Sequence, residues 1–214
     1  MKKTLLFICI SLLFACEKDD DAISNKIDVD FKEFQKFEEN ELNYYSNLEL
    51  PQNISFFGEA IKTGSGDLLI SKVSGDCGLE EVEDCFDLEA LDPQTGFKQC
   101  DGLYGLDCYN FLIAIRDGET IVINKLSEFR HLVGDIDSLP ELVFVIRSES
   151  YWVGLNNIER GAYKKVADGY EVIATKLVSD CAPVVTNRYH LKVSNKGSVK
   201  ILAEEEISRS EGCI

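Results

Sequence analysis

Histidine is nearly missing from this chain: His131 and His190 are the only two in 214 residues. Nucleophilic hydrolysis needs a serine or cysteine beside a base that a third group orients. Neither histidine lies in such a pattern. Gly-x-Ser-x-Gly, His-Glu-x-x-His and the Walker loop are absent, and Gly64-Ser65-Gly66 lacks the spacing of a dinucleotide fingerprint. His190 falls on the polar side of an alternating strand, which predicts a solvated surface residue, and His131 sits among packing residues of a short helix. Positive charge is scarce as well, with 22 Lys+Arg against 38 Asp+Glu and a net charge of −16. An acidic surface repels phosphate backbones and so lacks the attraction that supplies most nucleic-acid affinity. We therefore expect no nucleic-acid partner. Proline is rare at four, and no low-complexity stretch divides the chain. With 45% hydrophobic residues, one ordinary core is expected and a second large domain is not.

Only one long apolar run occurs, from Leu5 to Phe14, behind the cationic start Met1-Lys2-Lys3. It is too short to cross a bilayer core of roughly 30 Å as a helix and has the length of a signal-peptide core. Residues 1–15 are accordingly set apart as a signal peptide. Leu13-Phe14-Ala15-Cys16 resembles the lipobox of bacterial lipoproteins, although Phe14 is unusual at its position. That resemblance implies cleavage before Cys16 and diacylation of its sulfur, with palmitate-type chains holding the protein in a membrane. More than one acyl chain gives stable anchoring, since each buried CH₂ contributes about 0.8 kcal/mol. Losing Lys2 and Lys3 with the signal takes the net charge from −16 to −18. The next residues, Glu17, Lys18, Asp19 and Asp20, resemble the acidic export signal of Bacteroidetes lipoproteins. This implies an outer-membrane location facing the cell exterior. Residues 16–29 then form an acidic tether, and residues 30–214 a single domain.

Eight cysteines are present. Cys9 lies in the signal and Cys16 carries lipid, which leaves Cys77, Cys85, Cys100, Cys108, Cys181 and Cys213. An even number in an exported chain is a disulfide framework. Zinc is disfavoured, because the close pairs are spaced more widely than the two to four residues a zinc site uses. Six cysteines allow 15 pairings. We expect the first four to pair among themselves and Cys181 to join Cys213. Asp84-Cys85-Phe86-Asp87-Leu88 aligns with Asp107-Cys108-Tyr109-Asn110-Phe111, which is either a local duplication or chance.

Asp30 and the spacing of Phe31, Phe34, Phe37, Leu42 and Tyr45 predict a capped amphipathic helix over residues 30–45. A strand is expected at 67–73, followed by a Cys-rich, loop-dominated region over 74–108. Asp117-Gly118 predicts a hairpin between strands 109–116 and 120–126. Ser127 and Gly134 bound one short helix, and the capping box Ser138-Leu139-Pro140-Glu141 starts another that runs to about Arg147. Asp168-Gly169 and Asn195-Lys196-Gly197 turn the last third into a β-meander. In an up-down-up meander the strands before Cys181 and Cys213 run the same way, which brings the two cysteines to one end of the sheet. The expected class is α+β: an antiparallel sheet with a few short helices on one face, stapled by disulfides.

Three further features bear on ligands. The acidic cluster Asp76, Glu80, Glu81, Glu83, Asp84 and Asp87 offers oxygen ligands suited to Ca²⁺ but lacks an EF-hand pattern, so a solvated loop is favoured and no cofactor is expected. Trp152 with Tyr151 suggests a carbohydrate platform, set against the commoner buried core tryptophan. Asp137-Ser138-Leu139 resembles the motif at which exported Bacteroidetes proteins are O-glycosylated, on Ser138, a residue already assigned as a helix cap. The functional expectation is a non-enzymatic surface lipoprotein that binds another protein, as an accessory subunit of an outer-membrane assembly or an immunity- or inhibitor-type lipoprotein. A glycan-binding or glycan-active lipoprotein is the alternative.

Overall fold

A computed structural model describes residues 26–38, 48–63, 68–80, 82–87, 91, 95–97, 109–155 and 157–213. Most of the regular structure among the described residues is antiparallel β, in two sheets rather than the one expected, with two α-helices. The five-stranded sheet has the order β1-β6-β7-β8-β9, built from β1 (Gln35–Lys36), β6 (Ala162–Val166), β7 (Gly169–Asp180), β8 (Val184–Ser194) and β9 (Val199–Ser210). The four-stranded sheet has the order β3-β2-β4-β5, built from β2 (Ile54–Lys62), β3 (Leu68–Gly75), β4 (Tyr109–Arg116) and β5 (Glu119–Ile123).

The turn residues act as their chemistry demands. Asp117 (φ 53°) and Gly118 (φ 83°) both take positive φ and close a two-residue loop between Arg116 and Glu119. That geometry matches the twist of the flanking strands. At the second hairpin, a Cβ on Gly169 would lie 2.0 Å from the carbonyl oxygen of Val193. Only glycine lets the neighbouring strand approach so closely.

Helix α1 (Leu126–Val133) begins one residue before the predicted Ser127 cap: Lys125 holds the cap position without a side-chain bond. Helix α2 (Leu139–Ser148) has the full capping box. Ser138 Oγ accepts from Glu141 N–H at 3.4 Å, and Glu141 Oε2 accepts the N–H groups of Ser138 (3.1 Å) and Asp137 (3.0 Å). Leu142, Val143, Phe144, Val145 and Ile146 are consecutive and all sealed from solvent. A helix apolar on every side belongs inside a core. It shares one cluster with Phe57, Leu112, Ala114 and Ile123 of the smaller sheet and Val172, Ala174, Tyr189 and Leu191 of the larger.

Each sheet also has a covered outer face. On the smaller sheet, Phe56 and Ile113 pack with Phe86 and Leu91. Phe86 directly follows the loop that the Cys77–Cys85 disulfide closes across a sequence separation of 8, and Leu91 lies beyond it. On the larger sheet, Ile27 and Phe34 of the N-terminal strap lie on Ala162, Ile173 and Ala203.

The strap corrects the predicted helix over 30–45. Asp30 does cap a turn, accepting from Lys32 N–H at 3.0 Å, but only a single 3₁₀ turn follows, Phe31–Glu33. The chain then extends into β1, so that Phe34 faces the outer cluster and Phe37 the central one. The aromatic spacing therefore records two cores met by an extended strand, not one helical stripe; residues 39–47 lie outside the described residues. The aligned cysteine segments are not a structural repeat either. Cys85 ends a 3₁₀ turn, Val82–Cys85, whereas Tyr109-Asn110-Phe111 opens β4.

Two disulfides fall within the described residues. Cys181 and Cys213 form an isolated antiparallel bridge with Cα atoms 4.0 Å apart, at the common end of β7 and β9. Cys77 joins Cys85, as the expected pairing among the first four cysteines allows. Cys100 and Cys108 lie outside the described residues, as do Cys16, Glu17, Lys18, Asp19 and Asp20. No described helix is long and apolar enough to cross a membrane.

Candidate functional site

The most conspicuous surface feature begins where α2 stops. Ser150 takes φ 65°, and Tyr151 N–H closes back onto Ile146 O at 3.1 Å. This reversal sends the chain past β7, where Trp152 and Thr175 exchange both backbone bonds at 2.7 Å. Successive residues of an extended segment point to opposite faces. Tyr151 accordingly turns into the core, and Trp152 is left 42% exposed. The paired-platform expectation thus fails for Tyr151, and the buried-core reading fails for Trp152.

Arg147, in the last turn of α2, places its guanidinium carbon 3.1 Å from the centre of the Trp152 ring. Paired residues of an antiparallel bridge share a face, and so do alternate residues along a strand. Trp152, Thr175 and Leu177 therefore lie on one side of the sheet, with Leu177 exposed. The result is a solvated apolar patch with an arginine-stacked tryptophan at its edge.

Beneath it, Lys176 Nζ donates to Glu149 O at 3.0 Å, at the negative end of α2, and lies 4.7 Å from the Tyr151 ring. Burial, with Tyr189 and then Glu149 adding to it, pushes the Tyr151 phenol up to about 12. Tyr151 is therefore a neutral packing group at physiological pH. A hollow of about 410 Å³ opens beside this junction, lined by Phe97, Asn124, Lys125, Glu149 and Lys176. A second hollow, of about 390 Å³, lies between β5 and α1 and is lined by Arg116, Ile121, Ser127 and His131 among others.

His190 departs from its expected place. Instead of meeting solvent, it lies under the strap, with its ring 6.0 Å from Phe34 edge-on and Nε2 3.2 Å from Glu171 Oε2. Burial holds its pKa below the usual histidine range, and Glu171 opposes that shift. The alternation along β8 correctly reports two faces. The polar one is simply covered by a segment far away in sequence. His131 is exposed, and 59 residues of sequence separate it from His190, on a different sheet's margin.

Ser138 is engaged as the α2 cap. In the acidic segment, Asp76 Oδ1 accepts Gly78 N–H at 2.8 Å, which shapes the loop before the disulfide. Glu81 and the side chain of Glu83 lie outside the description. Among the described residues, no three His, Cys, Asp or Glu side chains are placed to hold a metal ion. The exposure of Trp152 and the burial of His190 had no local signal, because each is set by a partner distant in sequence. No protein family matches the chain, and no curated protein or solved structure matches it.

Proposed function

We propose that the chain is a surface-displayed lipoprotein that binds another protein through the Trp152 patch and performs no catalysis. The observation that carries this reading is the exposed Trp152 with Arg147 stacked on it, on the same face as exposed Leu177. Tryptophan and arginine dominate the energetics of protein interfaces, and an apolar neighbourhood supplies water exclusion around them. The signal, lipobox and acidic segment at residues 1–20 support an outer-membrane anchor through Cys16, facing the exterior. On this reading the class is α+β, since α2 is the most completely buried element and organises both sheets.

The test is affinity purification of the full-length chain from native membranes in mild detergent. A near-stoichiometric outer-membrane protein that accompanies the wild type and is lost with Trp152→Ala supports an accessory subunit. A solitary wild-type chain removes that reading. Labelling with a fatty-acid analogue tests the anchor, and label surviving in Cys16→Ala refutes it.

A glycan-binding role is the second reading, favoured by the same exposed ring. Sugars stack on an open aromatic face, and here Arg147 already occupies one face of Trp152. That leaves a single face for a glycan and ranks the protein partner first. Glycan-array binding that Trp152→Ala abolishes reverses the ranking.

A further inference from the structure

Among the described residues strand β5 is an edge strand, with its one ladder to β4. The two-residue turn at Asp117-Gly118 fixes which backbone groups that ladder uses. The pair flanking such a turn exchanges both hydrogen bonds, and bonded pairs then alternate with unbonded ones. Glu119, Ile121 and Ile123 thus spend their N–H and C=O groups on Arg116, Ala114 and Leu112. Thr120 and Val122 turn theirs outward. The next outward group, Asn124 N–H, donates to Glu128 Oε2 of α1 at 3.0 Å. This one occupied position shows where the row points: into the space between β5 and α1.

That space is the hollow of about 390 Å³. Its lining includes three consecutive strand residues, Ile121, Val122 and Ile123. Consecutive side chains face opposite ways, so a cavity touching all three runs along the edge of the strand. The opposite wall is one side of α1, with Ser127 and His131 four apart on it. Two basic side chains, Arg116 and His131, look onto the groove with one carboxylate, Glu128, which already accepts from Asn124 N–H. Among the described residues neither Arg116 nor His131 has a side-chain ion pair or hydrogen bond. Edge strands that must stay unpaired carry charges along their length. The long edge strand β9 does so, with Lys200, Glu204, Glu205, Glu206 and Arg209. Strand β5 runs Glu-Thr-Ile-Val-Ile, with its single charge at the turn end on Glu119 and none beside the outward groups of Thr120 and Val122.

We propose that the groove between β5 and α1 captures an extended peptide segment of a partner protein as an added strand. The segment pairs with the outward groups of Thr120 and Val122 and presents a carboxylate to Arg116 and His131. This inference rests on the protein-binding reading and gives it a second, chemically defined site.

The probe is an array of random twelve-residue peptides, read with the full-length chain in mild detergent. Selected peptides are expected to alternate β-branched residues and to carry an acidic residue. Val122→Pro removes an outward N–H at an edge position where proline is tolerated, and it weakens the best peptide about tenfold. Arg116→Ala weakens it about threefold. Trp152→Ala leaves it unchanged. In the wild type, the amides of Thr120 and Val122 exchange with solvent at least about tenfold more slowly when the peptide is bound, a readout that does not depend on any variant folding. No selected peptide, equal affinity in a folded Val122→Pro, or unslowed exchange at both amides overturns the groove. Peptide binding lost in Trp152→Ala but kept in Val122→Pro also overturns it, while leaving the protein-binding reading standing.

Discussion

The two sheets solve the same problem in different ways. Each puts one face on the α2 core and must hide the other. The smaller sheet covers Phe56 and Ile113 with Phe86 and Leu91, which follow the loop closed by Cys77–Cys85. The larger sheet covers Ala162, Ile173 and Ala203 with a strap held by packing, a two-residue ladder and the Lys164–Glu33 ion pair at 2.7 Å. A disulfide across so short a loop constrains the unfolded state only modestly, and it pins the chain immediately before Phe86. The strap instead supplies aromatic area, with Phe31 and Phe34 packed at 6.4 Å and Phe34 edge-on to His190. The covalent cover and the aromatic cover are alternatives, and the chain uses one of each.

The largest expected effect removes what the sheets share. Phe144→Ala takes away a sealed ring packed on Phe97 and Phe129, and costs about 3–5 kcal/mol. Denaturant unfolding should show one lowered midpoint for both sheets, and separate transitions would mean that α2 does not couple them. Next, Phe34→Ala strips the aromatic cover and costs about 2–3 kcal/mol, because the site lies at the margin of the molecule and can relax. Hydrogen exchange should rise on β6 to β8 and stay constant on β2 to β4. A Cys77→Ser, Cys85→Ser double variant reverses that pattern at a cost of about 2 kcal/mol. Uniform loss of protection in either variant would erase the distinction between the covers.

The smallest effect is a pH dependence confined to the strap. His190 has a folded pKa below its unfolded value, so the unfolded chain binds the proton more readily. Its contribution is fully present above the ordinary histidine range, declines as pH falls through that range, and levels off below the depressed folded pKa. Replacing His190 with Gln should flatten the fall in melting temperature between about pH 7.5 and pH 5. An unchanged slope would show that the strap does not bury the ring in solution.

Features set by neighbours in sequence were legible in it, and features set by distant partners were not. Asp117-Gly118 marks its hairpin because both loop residues take positive φ. The second loop falls one residue earlier, on Ala167-Asp168, and Gly169 opens β7 where Val193 comes close. Ser138 and Glu141 mark the start of α2 because both halves of the capping box lie within one turn. Meander parity sufficed to join Cys181 to Cys213. Strand β2 left no alternating pattern, because Phe56 and Phe57 are both buried, one on each face of its sheet. The strap imitated a helix for a related reason: its aromatic residues serve two clusters. Trp152 was ambiguous until the bridge to Thr175 decided which way it faced.

The strap has a mechanical consequence. A load applied upstream of residue 26 reaches Ile27, the Asp30 turn and the two β1 pairs, Gln35 with Tyr163 and Lys36 with Ala162, before any long ladder. Strands β7, β8 and β9 are joined along nearly their whole lengths and closed at the far end by Cys181–Cys213. If the chain is anchored through Cys16 as proposed, tension peels the strap first and spends the work there while the two sheets and α2 stay assembled. On that reading the strap would act as a reversible fuse between the anchor and the folded body.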